Sequence, residues 1–156
     1  MELGADLRSL MRRVPAGVAV VTVDVEGERL GLTVATLVSL SLDPPLVGVS
    51  IGRHAAMHEL LRQSRCFGVS VLGAGQESLA AHFARGVPPI ALWHGILVRD
   101  GAGPPLLDGA IGWLLCAPRS EFGAGDHTLF VGEVESIEHG AAGKALAYVS
   151  GSYVAL

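Results

Sequence analysis

Four hydroxyl side chains, Thr33, Thr36, Ser39 and Ser41, crowd into the stretch Gly31-Leu32-Thr33-Val34-Ala35-Thr36-Leu37-Val38-Ser39-Leu40-Ser41-Leu42-Asp43-Pro44-Pro45-Leu46-Val47. A plain half-buried strand would alternate polar with apolar residues; here short donors gather ahead of a double proline, beside an otherwise apolar surface. Such a lining suits a flat heteroaromatic ring with carbonyls and ring nitrogens along one edge, an isoalloxazine for example, because small side chains let backbone N–H groups approach it closely. Ordinary turn chemistry, in which Ser and Thr hydroxyls bond nearby backbone, is the competing reading of the same residues.

Other groupings point to less. Gly48-Val49-Ser50-Ile51-Gly52 matches the G-x-S-x-G pattern of a nucleophile elbow. That elbow needs a doubly wound sheet, an upstream oxyanion loop and an acid and a His downstream, which a short strand-rich chain does not supply, so a hydrolase is set aside. His54 and His58 stand four apart, a spacing that can put two imidazoles on one helix face as metal ligands. No third ligand is apparent and His58-Glu59 lacks the later His of H-E-x-x-H, so both are predicted to be exposed helix histidines. The pairs Gly73/Gly75, Gly101/Gly103 and Gly123/Gly125 each lack the third glycine of a dinucleotide fingerprint, so a nicotinamide cofactor, if used, binds outside a Rossmann fold. Cys66 and Cys116 form no CxxC pair and are predicted to be packed thiols, with neither a metal knuckle nor a disulfide framework.

The elements that must position these groups are mainly strands. With 156 residues, half of them hydrophobic and 17% charged, the chain is expected to fold as one domain over 1–156 and to keep apolar surface for a homo-oligomeric partner. Leu3, Leu7, Leu10, Met11 and Val14 recur at helical spacing until Pro15, which predicts an opening amphipathic helix. Gly17 to Val25 and Leu30 to Leu37, joined through Glu26-Gly27-Glu28, predict a hairpin, and Leu46 to Ile51 a third strand. Ala55 to Gln63 and Gln76 to Phe83 predict short helices; Phe67 to Leu72, Ile111 to Ala117, Thr128 to Ile137 and Ala147 to Val154 predict further strands, with loops at 86–89 and 101–105. Strands outnumber helices and do not alternate with them, so a closed or partly closed barrel with a few covering helices is expected instead of a Rossmann sheet. The net charge of −4, with no Lys/Arg cluster, speaks against nucleic acid. No apolar run approaches a membrane span, and no signal-peptide pattern follows Arg8, Arg12 and Arg13, so no membrane association and a cytoplasmic location are expected. Ten of the eleven basic residues are arginine, whose forked donors suit anions.

The hydroxyl stretch resembles the signature G-x-T-x-S-S-x-x-S-x-S-L-D-P-P-L-V of the flavin reductase-like family of FMN-binding split barrels. Arg53 with His58-Glu59-Leu60-Leu61, Phe67 to Leu72, Gln76 and Leu79 to Ala84 are similar to that family's middle section. Gly103 to Ala110 and Gly125 to Val134 are similar to its last third, so the resemblance runs from about Met11 to Leu156. It implies a mainly β, Greek-key split β-barrel with a few short covering helices, a homodimer with flavin near the subunit interface, and reduction of FMN or FAD by NADH or NADPH. It also implies a flavin-dependent monooxygenase as recipient of the reduced flavin. By the same resemblance Thr33, Thr36, Ser39 and Ser41 line the ring or ribityl chain, with Val34, Ala35, Leu40 and Pro44 among them. Ser50, Arg53, Phe83 and Arg85, with His54, lie toward the phosphate end. His127, in Gly125-Asp126-His127, matches a position associated with nicotinamide placement and is the expected catalytic residue; Tyr153 corresponds to a tyrosine near the same pocket. No side-chain nucleophile is needed, since hydride passes from nicotinamide to flavin once the rings stack, and positioning is the catalysis. The alternative is a split-barrel protein that binds flavin without turnover, as a carrier, sensor or accessory protein.

Overall fold

The computed structural model describes residues 2–85 and 89–156; the loop expected at 86–89 lies outside them except at Pro89. The chain opens with helix α1 (Glu2–Met11), followed by β1 (Ala16–Gly17), β2 (Ala19–Val25), β3 (Glu28–Val34), β4 (Val38–Leu42) and β5 (Pro45–Gly52). Helix α2 (Ala56–Gln63), β6 (Phe67–Val71), α3 (Glu77–Ala84) and the single turn α4 (Pro89–Leu92) come next. The long strands β7 (Gly112–Ala124) and β8 (His127–His139) and the short β9 (Leu146–Val149) and β10 (Ser152–Ala155) complete it.

Seven strands form one antiparallel sheet in the order β3-β2-β6-β7-β8-β5-β4, and β1, β9 and β10 form a second. The two edges of the large sheet, β3 and β4, are consecutive in the chain but do not pair with each other. The curled sheet is therefore a split barrel, and residues 35–37 run across the split.

Strand β2 shows why the sequence there is valine-rich instead of alternating. Ala19, Val21 and Val23 face a core with Val49, Ile51, Phe67, Val69, Cys116 and Phe130. Val20 and the preceding Val18 face a second core with Leu72, Ala80, Phe83 and Leu107. A strand covered on both faces reads as a continuous apolar run. The second face is sealed by the segment after Gly103: Thr22 Oγ1 donates to the Pro105 carbonyl at 2.5 Å, and Ser70 Oγ accepts the Leu107 N–H at 2.9 Å. Both hydroxyls are fully buried and hydrogen-bonded, so their pairing offsets the cost of burying them.

Helix α2 plugs the first core with Met57, Leu60 and Leu61, the inward face its periodicity predicts. Each fully buried side chain of this kind contributes roughly 1.5–3 kcal/mol relative to exposure. Helix α3 inserts Ala80 and Phe83 into the second core, with Leu79 half-buried at its margin. Gly31 on β3 is required beneath it, since a Cβ there would lie 2.8 Å from the Phe83 ring.

Two expectations are corrected and a third is extended. The hydroxyl stretch is partly a strand in its own right, β4, which the double proline ends by turning directly into β5. The strand expected over Ala147 to Val154 is a hairpin: Ser150 and Gly151 both take positive φ, 53° and 79°, as a tight two-residue turn requires. Helix α1 forms as expected, yet none of its residues is buried, and Leu3, Leu7 and Leu10 remain exposed. No helix among the described residues is long and apolar enough to cross a membrane.

Candidate functional site

The split in the barrel is bridged by one side chain. Thr36 Oγ1 accepts the Ser50 N–H at 3.0 Å and donates to the Ser50 carbonyl at 3.1 Å. Ser50 pairs with Leu129 of β8 on one side, while β4 begins to pair with β5 only at Gly48, so the Thr36 hydroxyl stands in for a missing strand partner. The four expected hydroxyls thus divide by role. Thr33 donates to the Ala80 carbonyl at 2.6 Å and ties β3 to α3, and Thr36 ties the crossing segment to β5. Ser39 and Ser41, on the edge strand β4, make no side-chain hydrogen bond among the described residues.

Around them the surface is small and apolar. Ala35, Thr36, Ser39 and Leu40 are exposed, as is Pro44 at the β4–β5 turn, and Ser41 is half-buried. Leu40 and Val38 lean over Gly48, where a Cβ would meet Leu40 at 3.0 Å and Val38 at 3.3 Å. An edge strand offers unpaired backbone donors and acceptors along its open side. Together with Ser39, Ser41 and the Leu40 side chain, that is a donor set suited to a flat ring with polar atoms along one edge and apolar faces.

At the far end of β5 the chain meets the β7–β8 turn. The Arg53 N–H donates to the Asp126 carbonyl at 2.9 Å and Arg53 Nη1 to the Gly125 carbonyl at 3.3 Å, so this exposed arginine is anchored with further N–H groups outward. His54 beside it is exposed. His127, the first residue of β8, pairs across to Gly52 and is exposed, with Nδ1 2.7 Å from Asp126 Oδ1. An ionised carboxylate only accepts, so Nδ1 donates the hydrogen bond, while Nε2 lies on the Gly52 side, 3.9 Å from where a Cβ at Gly52 would be. The hydrogen bond from His127 holds the Asp126 carboxyl below the usual carboxylate range. Sequence reasoning singled out His127 but not Asp126, although the adjacent Asp-His pair was the available signal.

Other expected site residues lie elsewhere. The side chains of Val34 and Phe83 are 6% and 2% exposed and belong to the two cores, so neither side chain is free to reach a ligand. Phe83 packs instead between His82 and Trp93, with ring centroids at 5.0 and 5.2 Å. Arg85 caps the C-terminus of α3 and is exposed. Tyr153, on β10, packs its half-buried ring 5.1 Å from Tyr148, and burial raises its hydroxyl pKa.

His58 is a correction: it is buried, with Nε2 2.7 Å from Thr128 Oγ1 and its ring edge-on to Phe130. It fastens α2 beneath the start of β8, directly after His127. His54 remains exposed, and no metal-binding cluster of His, Cys, Asp or Glu occurs among the described residues. Cys116 is fully buried and burial pushes its thiol up to about 12; Cys66 is half-buried and also raised by burial.

Residues 11–156 match the family model described as flavin reductase like domain. The chain is 41% identical over 135 residues to an NADH-dependent FAD reductase of Streptomyces globisporus, covering 82% of this chain and 72% of that one. It is 34% identical to the reductase component of 4-hydroxyphenylacetate 3-monooxygenase of Thermus thermophilus, covering 94% and 92% of the two chains. Its fold superposes with a TM-score of 0.91 on the Streptomyces globisporus NADH:FAD oxidoreductase SgcE6 in complex with NAD and FAD fragments, at 37% identity and covering 97% and 91% of the chains.

Proposed function

The chain belongs to the flavin reductase-like domain family, and from that membership we propose that it is an NAD(P)H-dependent reductase of FMN or FAD that supplies reduced flavin to a partner monooxygenase. The observation that carries the proposal is the placement of the free edge of β4, with Ser39, Ser41 and Leu40, at the split that Thr36 bridges to β5. That strand leads to the anchored Arg53 and the Asp126–His127 pair. Relatives named as NADH-dependent FAD or flavin reductases, and as a reductase component of a monooxygenase, support the same reading.

A bound flavin supplies the acceptor for a hydride delivered by the nicotinamide. The protein's part is positional. Ser39, Ser41 and the open backbone edge of β4 hold the polar edge of the ring, and Leu40 contacts its face. Arg53, tethered to the Gly125 and Asp126 carbonyls, presents its remaining N–H donors to a phosphate. Asp126 fixes the tautomer and direction of His127, whose Nε2 orients the nicotinamide carboxamide; removing such positioning costs rate without any change in the bonds made. The homodimer belongs to the same proposal, supported by the exposed apolar residues of α1 and by exposed Leu42 at the end of β4.

Steady-state oxidation of NADH and NADPH with added FMN, FAD or riboflavin tests the proposal. Flavin-dependent consumption of at least one nucleotide is expected. Tight flavin binding in an absorption spectrum with no nucleotide consumption would replace the reductase with a carrier or sensor.

A further inference from the structure

Between α1 and the β7–β8 turn lies a cavity of about 500 Å³, lined among others by Leu7, Arg8, Ser9, Arg12 and Asp126. Its size falls within the few hundred to roughly 1,000 Å³ of small-molecule sites. Arg8 and Arg12 stand one helical turn apart, the Arg12 N–H bonding the Arg8 carbonyl at 3.0 Å, so both guanidinium groups reach the same side. Among the described residues neither makes an ion pair; the arginines that do are Arg29, Arg62, Arg99 and Arg119.

The placement of Arg12 is built in. Its carbonyl accepts the Ser150 N–H at 2.6 Å, pinning the end of α1 to the β9–β10 turn, and its guanidinium occupies the space that a Cβ at Gly151 would need. Asp126 is the one carboxylate lining this cavity, and it is engaged by His127 at 2.7 Å. Two guanidinium groups against one engaged carboxylate leave the cavity cationic, a setting that recognises phosphate oxygens through forked, charge-assisted hydrogen bonds.

We propose that Arg8 and Arg12 clamp the pyrophosphate of the nicotinamide dinucleotide, with Asp126 linking this cavity to His127 at the nicotinamide end. This rests on the reductase reading above. It places the dinucleotide's anionic centre on the opening helix, outside any glycine-rich loop, and assigns that helix a substrate-binding role that its lack of core packing leaves it free to take.

The test is the double variant R8Q/R12Q in the flavin-loaded protein, with R13Q as control because Arg13 does not line the cavity. Removing two charge-assisted hydrogen-bonding groups should weaken NAD⁺ binding, read by isothermal titration calorimetry, about tenfold or more. The KM for NADH should rise in step, with kcat and flavin affinity within about twofold, as loss of uniform binding requires. Reduced nicotinamide mononucleotide, which lacks the pyrophosphate link, should lose less. Unchanged NAD⁺ affinity in R8Q/R12Q would overturn the clamp. So would a loss of FMN affinity with riboflavin spared, which would assign the arginines to the flavin phosphate. A wild-type protein that consumes no nucleotide defeats the reductase reading itself, whereas an active wild type matched by R8Q/R12Q defeats only the clamp.

Discussion

Replacing Thr36 with valine removes one hydroxyl and changes almost no volume, and the structure makes the consequence specific. That hydroxyl holds both the N–H and the carbonyl of Ser50, at 3.0 and 3.1 Å, where no strand partner is available. Each neutral hydrogen bond contributes about 0.5–1.5 kcal/mol net, and this pair lies near solvent, so water recovers part of it. The expected loss is about 1–2 kcal/mol, or roughly 2–8 °C in Tm for a domain of this size. The larger effect falls on ligand binding. With the bridge gone, residues 35–37 and the start of β4 sample orientations that do not match the flavin. If only about a tenth of molecules keep the bridged form, the apparent flavin Kd rises about tenfold although every group that touches the ligand is still present. Flavin titration followed by quenching of flavin fluorescence measures this, alongside thermal unfolding of the apoprotein. Thr36→Ser, which keeps the hydroxyl, should restore most of the affinity. A Thr36→Val protein that binds flavin within twofold of wild type would refute the bridge as an organiser of the site, whatever its Tm.

Three further outcomes follow from the same structure. His127→Ala should raise the nicotinamide KM or lower kcat while flavin affinity stays nearly intact; a large loss of flavin binding would show that His127 serves the flavin instead. Gly31→Ala should destabilise by about 1–3 kcal/mol, seen as a lower urea midpoint, because the new Cβ would lie 2.8 Å from a Phe83 ring held on its other side by the second core. Cys116 has its thiol pushed from 9.0 to about 12 by burial, so its raised folded-state pKa favours the folded protein below pH 9 and that contribution fades as pH climbs toward 12. Iodoacetamide at pH 8 should therefore spare Cys116 in the native protein and modify the half-buried Cys66 first, which peptide mapping checks.

Much of the architecture is legible in residue patterns because local physics wrote it there. Met57, Leu60 and Leu61 declare the inner face of α2, and Pro15 follows the end of α1. The valine-rich run from Val18 to Val23 in and before β2 is covered on both faces. The hydroxyl stretch stood out for its density of short donors, whereas His127 was singled out only by the resemblance of Gly125-Asp126-His127 to a family motif. Other features were hidden because they depend on partners far away in the chain. His58 sits on a helix position that looked solvent-facing, yet the start of β8 arrives from seventy residues away to bury it against Thr128 and Phe130. Phe83, placed toward the phosphate end by the family resemblance, is packed in the second core beneath β3 and against Trp93, contacts that no local pattern displays.

The sequence by itself determined that this chain is strand-dominated, lacks a Rossmann fingerprint and carries a hydroxyl-rich segment ahead of a double proline. Periodicity, turn chemistry and the steric demands of proline and glycine are properties of neighbouring residues. Only the tertiary structure decided which of these hydroxyls are spent on the fold and which are without a hydrogen-bond partner among the described residues. Thr33 and Thr36 are consumed by Ala80 and Ser50, partners supplied by α3 and β5, while Ser39 and Ser41 lie on an edge strand with no such partner. A hydroxyl's function is set by what else competes for its hydrogen bond, and that competitor becomes known once the sheet has curled and left its two edges apart.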